Sequence, residues 1–171
     1  MSRVSKDELL KFLEVFDLEL KRKITIVAVG GTAMTLLGIK ESTKDIDFNI
    51  PSESDYDEFI QIENKIKPNI KIDCYSQNMI FSEALPRDYL KIAIKYKSKF
   101  DKIELYILNP IDIVCSKISR LDESDIEDIK ECIKDFKFTK TQIKKRALKY
   151  SRAGSDDIFN QNLKYILQNF F

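Results

Sequence analysis

The sequence predicts a mixed α+β fold: a small mixed sheet with flanking helices, followed by a C-terminal helical annex. Three observations predict it. Residues 24–29, ITIVAV, form a continuous β-branched run that ends at Gly30-Gly31. Residues 45–50, DIDFNI, and 70–75, IKIDCY, alternate apolar and polar, with a helical pattern between them. From Pro110 onward the apolar residues recur at helical spacing. The composition shift near residue 109 divides the chain into an α/β core, 1–109, and a helical region, 110–171, expected to pack on it without a flexible linker.

Each element has a local cause. Ser5 to about Lys21 is an amphipathic helix, opened by a capping box of Ser5 and Glu8, in which each side chain satisfies an orphan backbone N–H. Leu9, Leu10, Phe12, Leu13, Phe16 and Leu20 form its apolar stripe. The run ITIVAV suits a strand buried on both faces. A helix follows the glycines over Thr32–Leu37, and Gly38 ends it. In DIDFNI, Ile46, Phe48 and Ile50 take one face and Asp45, Asp47 and Asn49 the other. Residues 54–66 read as helix and Pro68-Asn69 stops them. In IKIDCY, Lys71, Asp73 and Tyr75 share the polar face. Residues 76–90 read as loop with a short helical turn. Strands are expected near 91–96 and 102–108, then helices near 110–121, 124–134, 139–150 and 157–169.

Composition removes several chemistries. There is no histidine, so His-ligated zinc, Ser-His-Asp triads and imidazole acid–base work are excluded. Cys74, Cys115 and Cys132 are odd in number and widely spaced, which supports neither a disulfide framework nor a four-ligand zinc site. The 29 basic and 28 acidic residues leave a net charge of +1, with no chain-wide basic footprint for nucleic acid. The N-terminal MSRVSKDELLKF lacks the apolar run of a signal peptide, and no stretch approaches a membrane span, so a soluble cytoplasmic protein is expected.

The informative segment is VAVGGTAMTLLGIKESTKDIDFNI. Glycines at Gly30 and Gly31 let backbone approach a ligand closely, and the helix start behind them presents N–H groups suited to phosphate. Thr32 adds a hydroxyl, and Thr43 is a loop hydroxyl or a turn residue. Asp45 and Asp47 project the same way, about 6.6 Å apart along a strand. Asp is disfavoured in strands. Two unit charges ~4 Å apart at an effective dielectric of ~20 repel by about 4 kcal/mol, a cost that a divalent cation turns into affinity. Such a pair is suited to one or two Mg²⁺ ions carrying triphosphate oxygens, Mn²⁺ being an alternative. The competing reading is a pair of solvated acids on an exposed sheet face.

These motifs resemble the DNA polymerase β-type nucleotidyltransferase superfamily, whose pattern is a Gly-Gly or Gly-Ser turn, a spacer, an Asp-x-Asp/Glu strand and a third carboxylate on a later strand. STKDIDF with the later SKISRLDESDIEDI is similar to small prokaryotic nucleotidyltransferase-like proteins that include abortive-infection toxins of toxin–antitoxin systems. The likeness spans roughly residues 24–130. It implies a nucleotidyltransferase-like mixed sheet and transfer of a nucleotide from an NTP to an acceptor hydroxyl, on RNA such as tRNA or on protein. It implies Asp45, Asp47 and a third acid as catalytic and metal-binding residues. Asp73, on the next strand, is favoured for the third; Glu104, in KIELYIL, is the rival. The likeness also singles out Lys117 and Arg120 as phosphate-binding residues on one helix face, with Asp125 and Asp128 supporting them. The competing reading of these four is a surface salt-bridge network.

From Phe136 to Ser155 there are seven basic residues and no acids: Lys137, Lys140, Lys144, Lys145, Arg146, Lys149 and Arg152. This stretch can track an RNA backbone or be a solvated helix face. The aromatic C-terminal segment is expected to be a helix that docks on the core or on another copy of the chain; an antitoxin or a homodimer is the expected protein partner. Two other functional classes stay open: a catalytically silent relative that binds nucleotide, RNA or a partner protein, and a binding module whose acids merely solvate a sheet. Mg²⁺-dependent NTP affinity separates the last from the others.

Overall fold

The computed structural model describes residues 3–81, 83–152 and 156–171. In chain order the elements are β1 (Val4–Ser5), α1 (Lys6–Glu19), β2 (Ile24–Ala28), α2 (Gly30–Leu37), β3 (Ser42–Thr43), β4 (Ile46–Ile50), α3 (Glu53–Ile66), β5 (Ile72–Ser76), β6 (Met79–Ile80), β7 (Glu83–Ala84), α4 (Tyr89–Ile92), β8 (Ile94–Lys95), β9 (Ile103–Ile107), α5 (Pro110–Lys117), α6 (Glu123–Phe136), α7 (Lys140–Ala147), β10 (Ser151–Arg152) and α8 (Asp156–Asn169). They fall into two compact units. The first runs from the N-terminus to Asn78 and resumes over Ala93–Leu108; the second combines Met79–Ile92 with Asn109–Phe171.

The first unit is built on a five-stranded mixed sheet of order β5-β4-β2-β9-β8. β2 runs antiparallel to β4 and parallel to β9, while β4 runs parallel to β5. The β-branched run behaves as its composition requires: Ile24, Ile26, Val27 and Ala28 are all buried. In β4, Ile46, Phe48 and Ile50 are fully buried as the alternation expects, but Asn49 on the other face is fully buried too, its amide donating to the Gln77 carbonyl at 2.9 Å. Phe16 of α1 stacks on Phe59 of α3 with ring centroids 4.2 Å apart, and Phe59 meets Phe48 edge-on at 5.9 Å. α1 and α3 therefore cover the apolar face of β4, which leaves Asp47 on the other.

α1 opens with the expected capping box: the Glu8 amide donates to Ser5 Oγ, and the Ser5 amide donates to Glu8 Oε2 at 2.8 Å. Gly38 closes α2 at φ +76, a left-handed conformation that suits glycine. At the far end of α1, buried Asp17 accepts from the backbone amides of Asp101, Lys102 and Ile103 at 3.0, 2.8 and 2.8 Å. This carboxylate supplies acceptors that no strand neighbour provides. Asp17→Ala is expected to cost about 2–3 kcal/mol by stranding those amides, read as a lower urea midpoint at unchanged slope.

Two stretches differ from the sequence expectation. Residues 76–90 hold β6 and β7, an antiparallel pair extended by β10 in the order β10-β7-β6. Strands of two residues are too short to leave a periodic signal. The strand expected over 91–96 shrinks to Ile94–Lys95, and Tyr89–Ile92 is helical. A turn starts this helix, with the Tyr89 amide donating to the Pro86 carbonyl at 2.9 Å. β8 is an exposed edge paired on one side by β9, so little burial favours extending it.

In the second unit, α5, α6 and α7 each begin with a side-chain cap from Asn109, Asp122 and Thr139. α5 stops at Lys117 and α7 at Ala147, earlier than helical periodicity alone suggests. The core gathers Ile113, Val114, Ile129, Ile143, Phe159 and Ile166, with buried Cys115 and Cys132. Arg146 of α7 forks onto Asp112 of α5 at 2.6 and 2.7 Å, and Tyr150 Oη lies 3.0 Å from the same carboxylate. Among the described residues no helix is long and apolar enough to cross a membrane.

Candidate active site

The glycine turn and the acidic strand meet through two threonines. Gly30 begins α2 at φ +53, which an L side chain rarely adopts. A Cβ at Gly31 would lie 2.6 Å from Thr43 Oγ1, so glycine here lets β3 close onto the helix start. Thr43 Oγ1 then donates to the Asp45 carbonyl at 2.9 Å. The buried Thr32 hydroxyl donates to the same carbonyl at 3.3 Å and accepts from the Asp47 amide at 2.9 Å. Both threonine hydroxyls thus fasten the backbone that carries the two acids. No side chain caps the start of α2.

The β4–β5 register sets Asp47 against Asp73. Neighbouring strands lie about 4.8 Å apart, and residues in direct parallel register project to the same face. Asp45 sits just before β4 and two residues from Asp47. All three acids are half-buried. Glu104, by contrast, is registered against Thr25 at the opposite end of β2. Asp47 lies at the Val29 end, where its carbonyl accepts from the Val29 amide at 3.1 Å. Four residues separate those levels, roughly 13 Å along the sheet, with two strand spacings across it. Glu104 pairs with Lys95 at 3.3 Å.

A lysine stands among the acids. Lys71 Nζ lies 2.5 Å from Asp73 Oδ2. Asp73, by hydrogen bond and charge, and then Asp45 and Asp47 hold the Lys71 ammonium above its usual range. Burial, and then the negative charge of Asp73, push the carboxyl of Glu63 on α3 upward. Burial also pushes the Cys74 thiol up, helped by Glu63, Asp73 and Asp47. The region is thus strongly negative. The oxygen donors are of the kind that hard divalent cations take. As the side chains lie, no three His, Cys, Asp or Glu among the described residues are gathered closely enough to hold a metal. Lys71 takes the Asp73 oxygen in this arrangement. Its face, shared with Asp73 two residues along, was readable from the alternation of IKIDCY; its place beside Asp45 needed the register.

The second unit holds the other four residues that the sequence singled out. Lys117 is 6% exposed and lies 2.8 Å from Asp125 Oδ1 and 2.9 Å from Asp128 Oδ2. Arg120 forks onto Asp125 at 2.6 and 2.7 Å while its side chain stays 56% exposed. Burial pushes the Lys117 ammonium down, but Asp128 and Asp125 outweigh it and hold it above its usual range. Burial pushes the Asp125 carboxyl up, but Arg120 and Lys117 hold it below the usual carboxylate range. Within the basic stretch three residues are committed to ion pairs: Arg146 with Asp112 and Asp88, Lys149 with Asp88, and Arg152 with Asp156. Lys137, Lys140, Lys144 and Lys145 are exposed.

Comparison with known proteins gives this geometry its setting. A crystal structure of an antigenic nucleotidyltransferase-like protein from Paracoccidioides brasiliensis is similar in fold, with a TM-score of 0.54. The similarity covers 98% of this chain and 90% of that one at 15% sequence identity. A search of curated proteins found no match. A family described as "Nucleotidyltransferase of unknown function (DUF6036)" matches residues 7–157, a span that includes the glycine turn, all three sheet acids and the Lys117 cluster. The chain therefore belongs to this nucleotidyltransferase family.

Proposed function

We propose that the protein is a Mg²⁺-dependent nucleotidyltransferase that moves a nucleoside monophosphate from an NTP to an acceptor hydroxyl. The observation that carries this reading is the register of Asp47 against Asp73, with Asp45 beside them and Thr32 tying their backbone to the glycine turn. Asp45, Asp47 and Asp73 would hold the metal, which supplies positive charge to the phosphate oxygens. Gly30 and Gly31 bring backbone amides toward the triphosphate without a Cβ in the way. The acceptor oxygen attacks the α-phosphorus, the bond to the bridging oxygen breaks, and pyrophosphate leaves. Asp73 would complete the metal site or act as the base that takes the acceptor proton. The exposed Lys137, Lys140, Lys144 and Lys145 favour an RNA acceptor, since lysines on one segment neutralise successive phosphates.

The test is incubation of the full chain with each α-labelled NTP, Mg²⁺, and total cellular RNA or protein. Label transfer that disappears on chelation of Mg²⁺ is the expected result. Mg²⁺-dependent NTP binding without transfer would assign a silent nucleotide-binding relative. Neither binding nor transfer overturns the reading.

A further inference from the structure

The acid cluster carries its own cation. The β4–β5 register, continued one residue back from Ile46 and Ile72, sets Lys71 against Asp45. The Ile46 amide donates to the Lys71 carbonyl at 3.0 Å, which keeps the two backbones together at that level. Asp45 and Asp47 on one segment thus face Lys71 and Asp73 on the next. Three carboxylates and one ammonium sum to a formal charge of two negatives, the complement of one divalent ion. The Lys71 ammonium holds Asp73 at 2.5 Å, yet its side chain is 58% exposed. Packing does not lock this arm, and a lysine stem is long and flexible.

Asp73 Oδ2 is wanted by two cations. A divalent ion ligated by the Asp73 carboxylate would repel an ammonium bonded to it, so the two cations compete for that group. Once Asp73 is taken, an ammonium on a flexible, exposed stem beside the cluster is free to turn to another anion, and the substrate would bring phosphate oxygens to it.

This inference rests on the nucleotidyltransferase reading above. We propose that Lys71 is the resident counter-cation of the acid cluster: it neutralises Asp73 in the resting protein, yields that carboxylate to the divalent cation, and then turns to the substrate phosphates. Lys71 is in this account a substrate-positioning residue that also sets the strength of metal binding.

The experiment uses the full chain as wild type, Lys71→Met, Lys71→Arg and Asp47→Asn. Mn²⁺ binding is followed by loss of the free-ion EPR signal, first without nucleotide. Lys71→Met is expected to bind Mn²⁺ about fivefold more tightly than wild type, the scale of one competing half-exposed ion pair. Each of the four NTPs is then titrated at saturating Mn²⁺. For the NTP the wild type prefers, Lys71→Met should bind about tenfold more weakly, the scale of one charge-assisted hydrogen bond, and Lys71→Arg should recover most of the loss. Unchanged or weaker Mn²⁺ affinity in Lys71→Met overturns the displacement. Unchanged NTP affinity overturns the phosphate contact. Wild type that binds no Mn²⁺, with Asp47→Asn no different, overturns the nucleotidyltransferase reading together with this inference; wild type that binds Mn²⁺ while Lys71→Met behaves identically overturns the inference alone.

Discussion

Asp47→Asn is expected to lower nucleotide transfer by about 10³-fold or more while leaving the first unit folded. The size follows from the loss of one anionic metal ligand, worth several kcal/mol of charge stabilisation in the transition state at 1.36 kcal/mol per tenfold. Folding is expected to be spared because the Asp47 backbone carries bonds that asparagine keeps. Its amide donates to Thr32 and its carbonyl accepts from Val29. Asparagine has the same shape and relieves repulsion from Asp73 in direct register. After solvent screening that relief is worth up to about 1 kcal/mol, so the variant should melt slightly higher than wild type. Loss of label transfer with an equal or raised melting temperature is the signature of a functional acid. Retained transfer would remove Asp47 from the chemistry. Asp73→Asn should lose transfer to a similar degree while giving up its ion pair with Lys71, whereas Glu104→Gln, at the other end of the sheet, should not alter transfer.

What the sequence made legible follows from how local each cause is. The alternation of DIDFNI is a property of six adjacent residues, and Phe48 is buried against Phe59 while Asp47 is not because a strand has period two. Gly30 and Gly38 announced themselves because few other residues take a positive φ cheaply. The Ser5–Glu8 box needs only a spacing of three. These features fold as read because their determinants lie within one turn or one strand.

Non-local pairings were not legible. The ribbon of β1 with β3 is two residues on each side, and it exists because Gly31 leaves room for Thr43. Thr32 offered a hydroxyl beside the glycines, but its commitment to Asp45 and Asp47 depends on a strand thirteen residues away. Lys71 shares its readable face with Asp73, the partner it takes two residues along, but its place against Asp45 is fixed by parallel register with β4. Charge counting failed for a related reason. It cannot tell Arg146, buried on Asp112, from Lys144, which stands in solvent on the same helix. Helical phase makes that distinction: Ile143, Arg146 and Ala147 form the buried side of α7.

Asp125→Ala is expected to destabilise the second unit by about 3–5 kcal/mol, the usual cost of removing one partner from a buried ion pair. Asp125 is fully buried and takes Lys117 and the Arg120 fork on its two oxygens, while also starting α6 through its amide bond to Asp122. Alanine leaves the Lys117 ammonium buried with Asp128 alone. The measurement is the urea midpoint of the wild type and the variant. The same cluster sets a pH dependence. The folded Asp125 carboxyl lies below its unfolded value of about 3.9, so its contribution is complete above that pH and is lost as the pH falls through the folded value. Asp88, pushed down to about 2 by Lys149 and Arg146, adds a loss of the same sign between about 4 and about 2. Matched for stability at neutral pH, Asp88→Asn lacks this loss and should therefore begin to unfold at a lower pH than a surface control such as Glu104→Gln. Arg120→Ala separates structure from substrate binding, because its half-exposed side chain carries little stability. A rise in KM for NTP without a change in urea midpoint assigns Arg120 to phosphate, and a change in midpoint with KM intact assigns it to holding Asp125.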